Sequence, residues 1–313
     1  AGDKFHMILS KDNPQFQNLP GIAVLIGGMW IANLYYWGFN QYIIQRALAA
    51  KSLHEAQKGL SFAAFLKLII PAIVVIPGII AYVMYIDNSN NAGAIFSLAD
   101  GANNDHAYPW LIKTFIPIGL KGLVVAALTA AIVSSLASML NSTATIFTMD
   151  IYKPYFAKNK QDSHLVNVGR ITALLSLFIA GFLAPAMSSF PQMFQYIQEY
   201  TGVVSPGILA VFIMGLFWKK TNAQGAIAGV LASIPVALAL KFLPIQMPFL
   251  DQMMYTCIIT IVIILGVSLS TGKGDDNHKS IPLIGNTFST TKGFNISAYA
   301  ICIVLVVLYS VFW

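Results

Sequence analysis

Inside an apolar run from about Ile22 to Ile44, the sequence places Asn33, Tyr36, Trp37, Asn40 and Gln41. Their positions differ by threes and fours, so a helix would line them up as one stripe of amides and aromatic rings. Such groups hydrogen-bond and stack, which is the chemistry of noncovalent binding. An amide left unpaired in hydrocarbon costs several kcal/mol, and a lipid-facing stripe would be aliphatic. The stripe therefore needs an interior partner, either a neighbouring helix or a ligand.

Three more groups offer related chemistry. Lys67 stands about nine residues into the next apolar run, near mid-membrane at about 1.5 Å per residue. A lysine there costs about 2.5–3.5 kcal/mol on insertion scales, so it should face a polar interior, unless it snorkels to the interface. Farther on, Ala131, Ser134, Ser135, Ser138, Asn141, Ser142 and Thr145 trace a helical face of small and hydroxyl residues. That face suits close helix packing, and its hydroxyls and carbonyls are also hard oxygen donors for a hard cation. The stretch from Phe194 to Gly202 holds Gln195, Tyr196, Gln198, Glu199, Tyr200 and Thr201, and Ser205-Pro206-Gly207 follow. Such an interruption is either an ordinary proline kink or a place where a helix unwinds around a solute.

The elements that must carry these residues are membrane helices. Hydrophobic residues make up 57% of the chain and charged ones 10%, against about 25% in soluble domains. With a mean hydropathy of +0.70, we expect an all-α polytopic membrane protein with about eight transmembrane helices. The expected spans are roughly 22–45, 59–85, 119–149, 167–185, 193–217, 223–242, 252–270 and 295–312. The sixth to eighth read as plain aliphatic and aromatic scaffold. Pro71 and Pro77 are expected to bend the second, and 87–110 reads as an external loop with helical fragments. The whole of 1–313 reads as a single membrane domain. Because it opens without Met and stops at Trp313 inside an apolar run, we expect a fragment of a longer protein.

Cation placement orients the spans. Alternating the loops puts twelve Lys and Arg on one side and five on the other, with Lys67 apart, and the richer side is expected to be cytoplasmic. The net charge of +6 is thereby a matter of membrane sidedness, and no nucleic-acid partner is expected. The five histidines, His6, His54, His106, His164 and His278, are scattered singly in loops, and Cys257 and Cys302 lie in apolar spans. The sequence contains no phosphate-binding glycine loop, nucleophile elbow or pair of carboxylates on one helix, so no enzyme is expected. The short loops leave no room for an ATP-hydrolysing domain in this stretch.

Two motifs then carry a family resemblance. The run Trp37-Gly38-Phe39-Asn40-Gln41 followed by Gln45-Arg46, and Ser134-Ser135-Leu136-Ala137-Ser138 continuing through Asn141-Ser142 to Asp150-Ile151-Tyr152, resemble the sodium/solute symporters, nearest to the sugar-transporting members. The resemblance implies a leucine-transporter-like inverted-repeat fold. By it, 22–217 would be the second five-helix repeat and 218–313 peripheral helices, with the first repeat in a missing N-terminal half. It implies substrate-binding roles for Asn33, Lys67 and Gln198, with Tyr36 stacking on the sugar ring and Trp37 beside it. It also implies a co-transported sodium ion held by the carbonyl of Ala131 and the hydroxyls of Ser134 and Ser135. The implied protein sits multi-pass in a bacterial inner membrane and couples sodium entry to galactose or glucose uptake. A transporter-like solute sensor, or a symporter for proline, pantothenate or iodide, would keep much of the same pattern.

Overall fold

The computed structural model describes residues 22–89, 107–187, 193–243, 247–272, 277–283 and 287–312, and its regular elements are helical. The first apolar run is broken into α1 (Ile22–Ile26), α2 (Gly28–Leu34), a π-helical turn over Tyr35–Phe39 and α3 (Gln41–Leu48). Longer helices follow: α4 (Leu53–Ser89), the short α5 (Ala107–Phe115) and α6 (Ile118–Ile146). A second π-helical turn, Phe147–Tyr152, leads into α7 (Lys153–Phe156), and then come α8 (Asp162–Met187), α9 (Met193–Phe217), α10 (Ala223–Phe242), α11 (Phe249–Thr271) and α12 (Lys292–Val311).

Among the described residues seven stretches are long and apolar enough to cross a membrane: α4, α6 with its continuation to Phe156, and α8 to α12. These match the expected second to eighth spans, and the first expected span is the segmented run before them. Most of the expected external loop, residues 90–106, lies outside the described residues, and its end is the helix α5 that contains Trp110.

The chain divides into two compact units, one of residues 1–69 with 195–313 and one of residues 70–194. In the first, Leu209, Ala210 and Met214 of α9 pack with Cys257 and Ile264 of α11, and Ile31, Tyr35 and Phe39 close over them. Phe39 stacks on Phe212 at 4.9 Å between ring centroids. Helices α10 and α11 meet along two rows spaced by fours: Gly225, Gly229, Ser233 and Ala237 against Thr256, Thr260, Ile264 and Ser268, all buried. Glycine is what allows this approach. A Cβ on Gly225 would overlap the Ser268 hydroxyl, and one on Gly207 of α9 would overlap Ser233.

The hydroxyls of Ser233, Thr256 and Thr260 are satisfied within their own helices, and that of Ser268 accepts from the Asn222 N–H. Thr256 donates to the Gln252 carbonyl at 2.8 Å and Thr260 to the Thr256 carbonyl at 2.7 Å. The expectation of aliphatic and aromatic scaffold for α10 and α11 is thus corrected: their mutual face is mostly small and hydroxyl-bearing, with Ile264 the large aliphatic side chain within it. Asn222 caps α10 by accepting from the Gly225 N–H at 2.8 Å, and Thr291 caps α12 by accepting from Phe294.

In the second unit α6 lies against α8. Ser142, Ala144, Thr148 and Leu165 are buried there, and Gly169 backs onto the Thr148 hydroxyl. Tyr152, at the end of the second π-helical turn, bonds His164 of α8 at 3.1 Å.

Candidate functional site

The π-helical turn is the local event that builds the site. Tyr35–Phe39 winds one residue per turn wider than an α-helix, and the Asn40 N–H closes it by donating to the Tyr35 carbonyl at 3.0 Å. Asn40 is extended, with φ −80° and ψ 117°, so the helix ends and restarts at Gln41. The expected single stripe is divided accordingly. Asn33, Tyr36 and Trp37 lie before the break and Gln41 after it, with the Gln41 Oε1 buried and lacking a hydrogen-bond partner.

Tyr36, Trp37 and Lys67 come together. The Lys67 ammonium sits over the Trp37 ring, 4.4 Å from its centroid, and the Tyr36 and Trp37 rings meet edge to face at 5.4 Å. Lys67 thus turns toward a π face within the span rather than snorkelling out, an attraction worth about 0.5–2 kcal/mol. Tyr36 also shares a hydroxyl–hydroxyl bond of 2.5 Å with Tyr42. Six residues separate them, and only the π-helical turn and the break at Asn40 bring them together. No spacing rule for a regular helix would have singled out Tyr42.

Asn33 is exposed on the last turn of α2, where its Nδ2 donates to the Met29 carbonyl at 2.8 Å. It lines a groove of about 390 Å³ with Leu25, Met29, Trp30 and Tyr309, the last from α12. Tyr309 is a neighbour the sequence reading missed, because it placed α12 wholly in the scaffold.

Gln198 is exposed on α9 and stands apart from the cluster of Tyr36, Trp37 and Lys67. The polar cluster around it is divided between two faces. Gln195 donates to Glu199 at 3.2 Å, and Glu199 pairs with Lys241 of α10 at 3.5 Å. Lys241 also lies 4.3 Å from the Tyr200 ring centroid. Glu199 is therefore engaged toward α10, and it places no free carboxylate beside Gln198. Of the two readings of this span, unwinding does not occur: α9 runs unbroken from Met193 to Phe217 with Pro206 inside it. Gly202, Ser205, Pro206 and Gly207 are all buried, and the glycines admit Met253 and Ser233 of neighbouring helices, which makes them packing positions. The break occurs at Asn40 instead.

Ala131, Ser134 and Ser135 lie on α6 in the other unit, all exposed. Ser138 donates to the Ser134 carbonyl at 3.0 Å. The face of α6 turned to α8 carries Ala137, Asn141 and Ala144, roughly a quarter turn away at about 100° per residue, and Thr148 of the π-helical turn continues it. Packing against α8 therefore accounts for the lower part of the hydroxyl face and not for Ala131, Ser134 and Ser135.

Comparison with known proteins gives a consistent result. The model of the Sodium:solute symporter family matches residues 2–233. The chain is similar to a sodium/glucose cotransporter of Vibrio parahaemolyticus, 63% identical over 317 residues, covering all of this chain and 58% of that protein. It is also similar to the human sodium/myo-inositol cotransporter 2, 38% identical over 260 residues, covering 80% of this chain and 38% of that protein. Among solved structures, a Na+-coupled sialic acid symporter in a substrate-bound outward-open state aligns with a TM-score of 0.68 at 24% identity. That alignment covers 82% of this chain and 53% of the other, and it shows a shared fold. The chain spans little more than half the length of the bacterial relative and less of the human one.

Proposed function

The chain belongs to the sodium:solute symporter family, and on that premise we propose that it is part of a secondary transporter that couples inward sodium flux to sugar uptake by alternating access. The solute is a neutral polyol ring, galactose or glucose. The observation that carries this reading is the cluster of Lys67 over Trp37 beside Tyr36, inside predominantly apolar spans. An ammonium and amides can meet sugar hydroxyls while an aromatic face meets the C–H face of the ring. Similarity along the whole chain to a protein named for sodium and glucose supports the same solute class.

In this proposal Asn33, Lys67 and Gln198 hydrogen-bond the sugar, and Tyr36 stacks on it with Trp37 alongside. The Ala131 carbonyl and the Ser134 and Ser135 hydroxyls hold sodium, a hard cation suited to oxygen. The Tyr36–Tyr42 hydroxyl bond adds Tyr42 as the residue that orients the stacking ring. Residues 22–217 form the second five-helix repeat and 218–313 the peripheral helices, with the rest of the full-length protein completing both sites. The protein resides in a bacterial inner membrane, with the cation-rich loops inside. The pairing of Glu199 with Lys241 removes the carboxylate that would have argued against an acidic solute, so preference for a neutral sugar rests on the amides and rings.

Coupling requires that sodium and sugar each raise the affinity for the other. The test is radiolabelled galactose and glucose uptake into proteoliposomes holding the full-length protein, with and without an inward sodium gradient. Uptake should accumulate sugar only with the gradient. Equal uptake without sodium would refute the proposal.

A further inference from the structure

Helices α4 and α12 are tied together at one end and open above it. Gln57 is buried, its Nε2 donates to the Ser289 carbonyl at 3.4 Å, and its Oε1 accepts from the Thr291 N–H at 3.1 Å. Beyond this tie a groove of about 450 Å³ runs between the helices. On the α4 side it is lined by His54 and Lys58 at the mouth and then by Phe62, Phe65 and Leu68. On the α12 side Gly293, Ser297 and Ala300 leave room, and Ile301 and Val304 continue the apolar wall.

Three features identify what fits. From Lys58 to Leu68 the groove extends about 15 Å at 1.5 Å per residue, the depth of one leaflet in a hydrocarbon core of about 30 Å. Its charged mouth is at the end that the cation distribution assigns to the cytoplasm, where anionic lipids concentrate. Lys292, exposed at the first position of α12 next to the lining residue Thr291, stands outside the lining and adds to the positive charge of this end. Glu55 is the carboxylate facing this mouth, and it pairs with Lys58 at 3.0 Å. Both partners are more than half exposed, so a phosphate can compete for the lysine. The groove also lies on the far side of α4 from Lys67, which is roughly 150° around the helix at about 100° per residue. It is thus separate from the cluster on Trp37.

We propose that this groove binds one anionic phospholipid of the cytoplasmic leaflet, its phosphate at Lys58 in the mouth, within the positive field to which Lys292 contributes, and an acyl chain along Phe62, Phe65 and Ile301. The site does not depend on the sugar reading. The test is native mass spectrometry of the full-length protein released from vesicles of equal phosphatidylglycerol and phosphatidylcholine. Wild type should retain one phosphatidylglycerol with a preference of roughly fivefold or more, the size expected of one or two added charge contacts. Lys58→Gln with Lys292→Gln should abolish the preference, and Ala300→Trp, which fills the groove, should lose the lipid of either class. If Ala300→Trp does not fold, Ser297→Leu serves the same purpose. Equal retention of both lipids by wild type, an unchanged preference in the double variant, or no retained lipid because the remainder of the chain covers the groove would each overturn the proposal.

Discussion

The α9–α10–α11 cluster and the segment from α2 through α3 both put polar residues at membrane depth, and they treat them in opposite ways. In the cluster, Ser233, Thr256, Thr260 and Ser268 are at most 2% exposed, and glycines bring the backbones close around them. The hydroxyls of Ser233, Thr256 and Thr260 bond carbonyls of their own helices, for example Ser233 to Val230 at 2.9 Å, and that of Ser268 accepts from the Asn222 N–H at the start of α10. In the segment, Asn33, Tyr36 and Trp37 stand uncovered on a helix that widens and then breaks. Small polar groups satisfied within a helix can be sealed in at little cost, whereas large polar groups left facing outward are available to something else. Polarity at depth is therefore a poor pointer to function until side-chain size and local bonding are known.

This contrast can be broken by substitution. The largest effect is expected from Gly207→Leu, which forces a side chain into Ser233 and should cost about 1–3 kcal/mol or more, read as a lower melting temperature of the purified full-length protein. Gly38→Ala in the π-helical turn meets nothing within 4 Å and should melt close to wild type. Equal losses in the two would erase the distinction between sealed and open regions.

Next, Lys67→Met should leave melting nearly unchanged but weaken sugar half-saturation by about 1.5–3 kcal/mol, roughly 10- to 150-fold, as expected for a lost charged hydrogen bond. Wild-type uptake kinetics in that variant would reduce Lys67 to a partner of Trp37. Asn33→Ala and Gln198→Ala should each cost about 0.5–1.5 kcal/mol, roughly 2- to 10-fold in the same assay. The smallest change is expected for Ser135→Ala, a few-fold rise in the sodium needed for half-maximal uptake, with uptake at saturating sodium preserved. An unaltered sodium curve would return the exposed serines to a packing role.

Much of this was legible in the residues. Apolar run lengths located the seven continuous spans, and the cost of an ammonium at depth singled out Lys67 before its contact with Trp37 was seen. Helical spacing also grouped Tyr36 with Trp37, since residues one apart near the end of a stripe stay neighbours in either winding. The π-helical turn was not legible, because no hydrophobic period records one inserted residue, and Tyr42 was missed with it. The rows of α10 and α11 escaped because glycine and threonine are nearly neutral in hydropathy and vanish among Val, Ile and Leu. On α9, Gln198 and Glu199 are adjacent in sequence yet about 100° apart on the helix, so a single polar cluster in the sequence became two faces.

The tie at Gln57 also serves as a depth mark. α12 has 20 residues, about 30 Å of helix, which matches the hydrocarbon core, and it begins beside Gln57. Measured from that waterline, Lys67 is ten residues up α4, about 15 Å, which is the midplane. α4 itself has 37 residues, about 55 Å, far more than the bilayer needs even at a steep tilt. Part of α4 must therefore stand outside the hydrocarbon, on the same helix that carries Lys67 at the midplane.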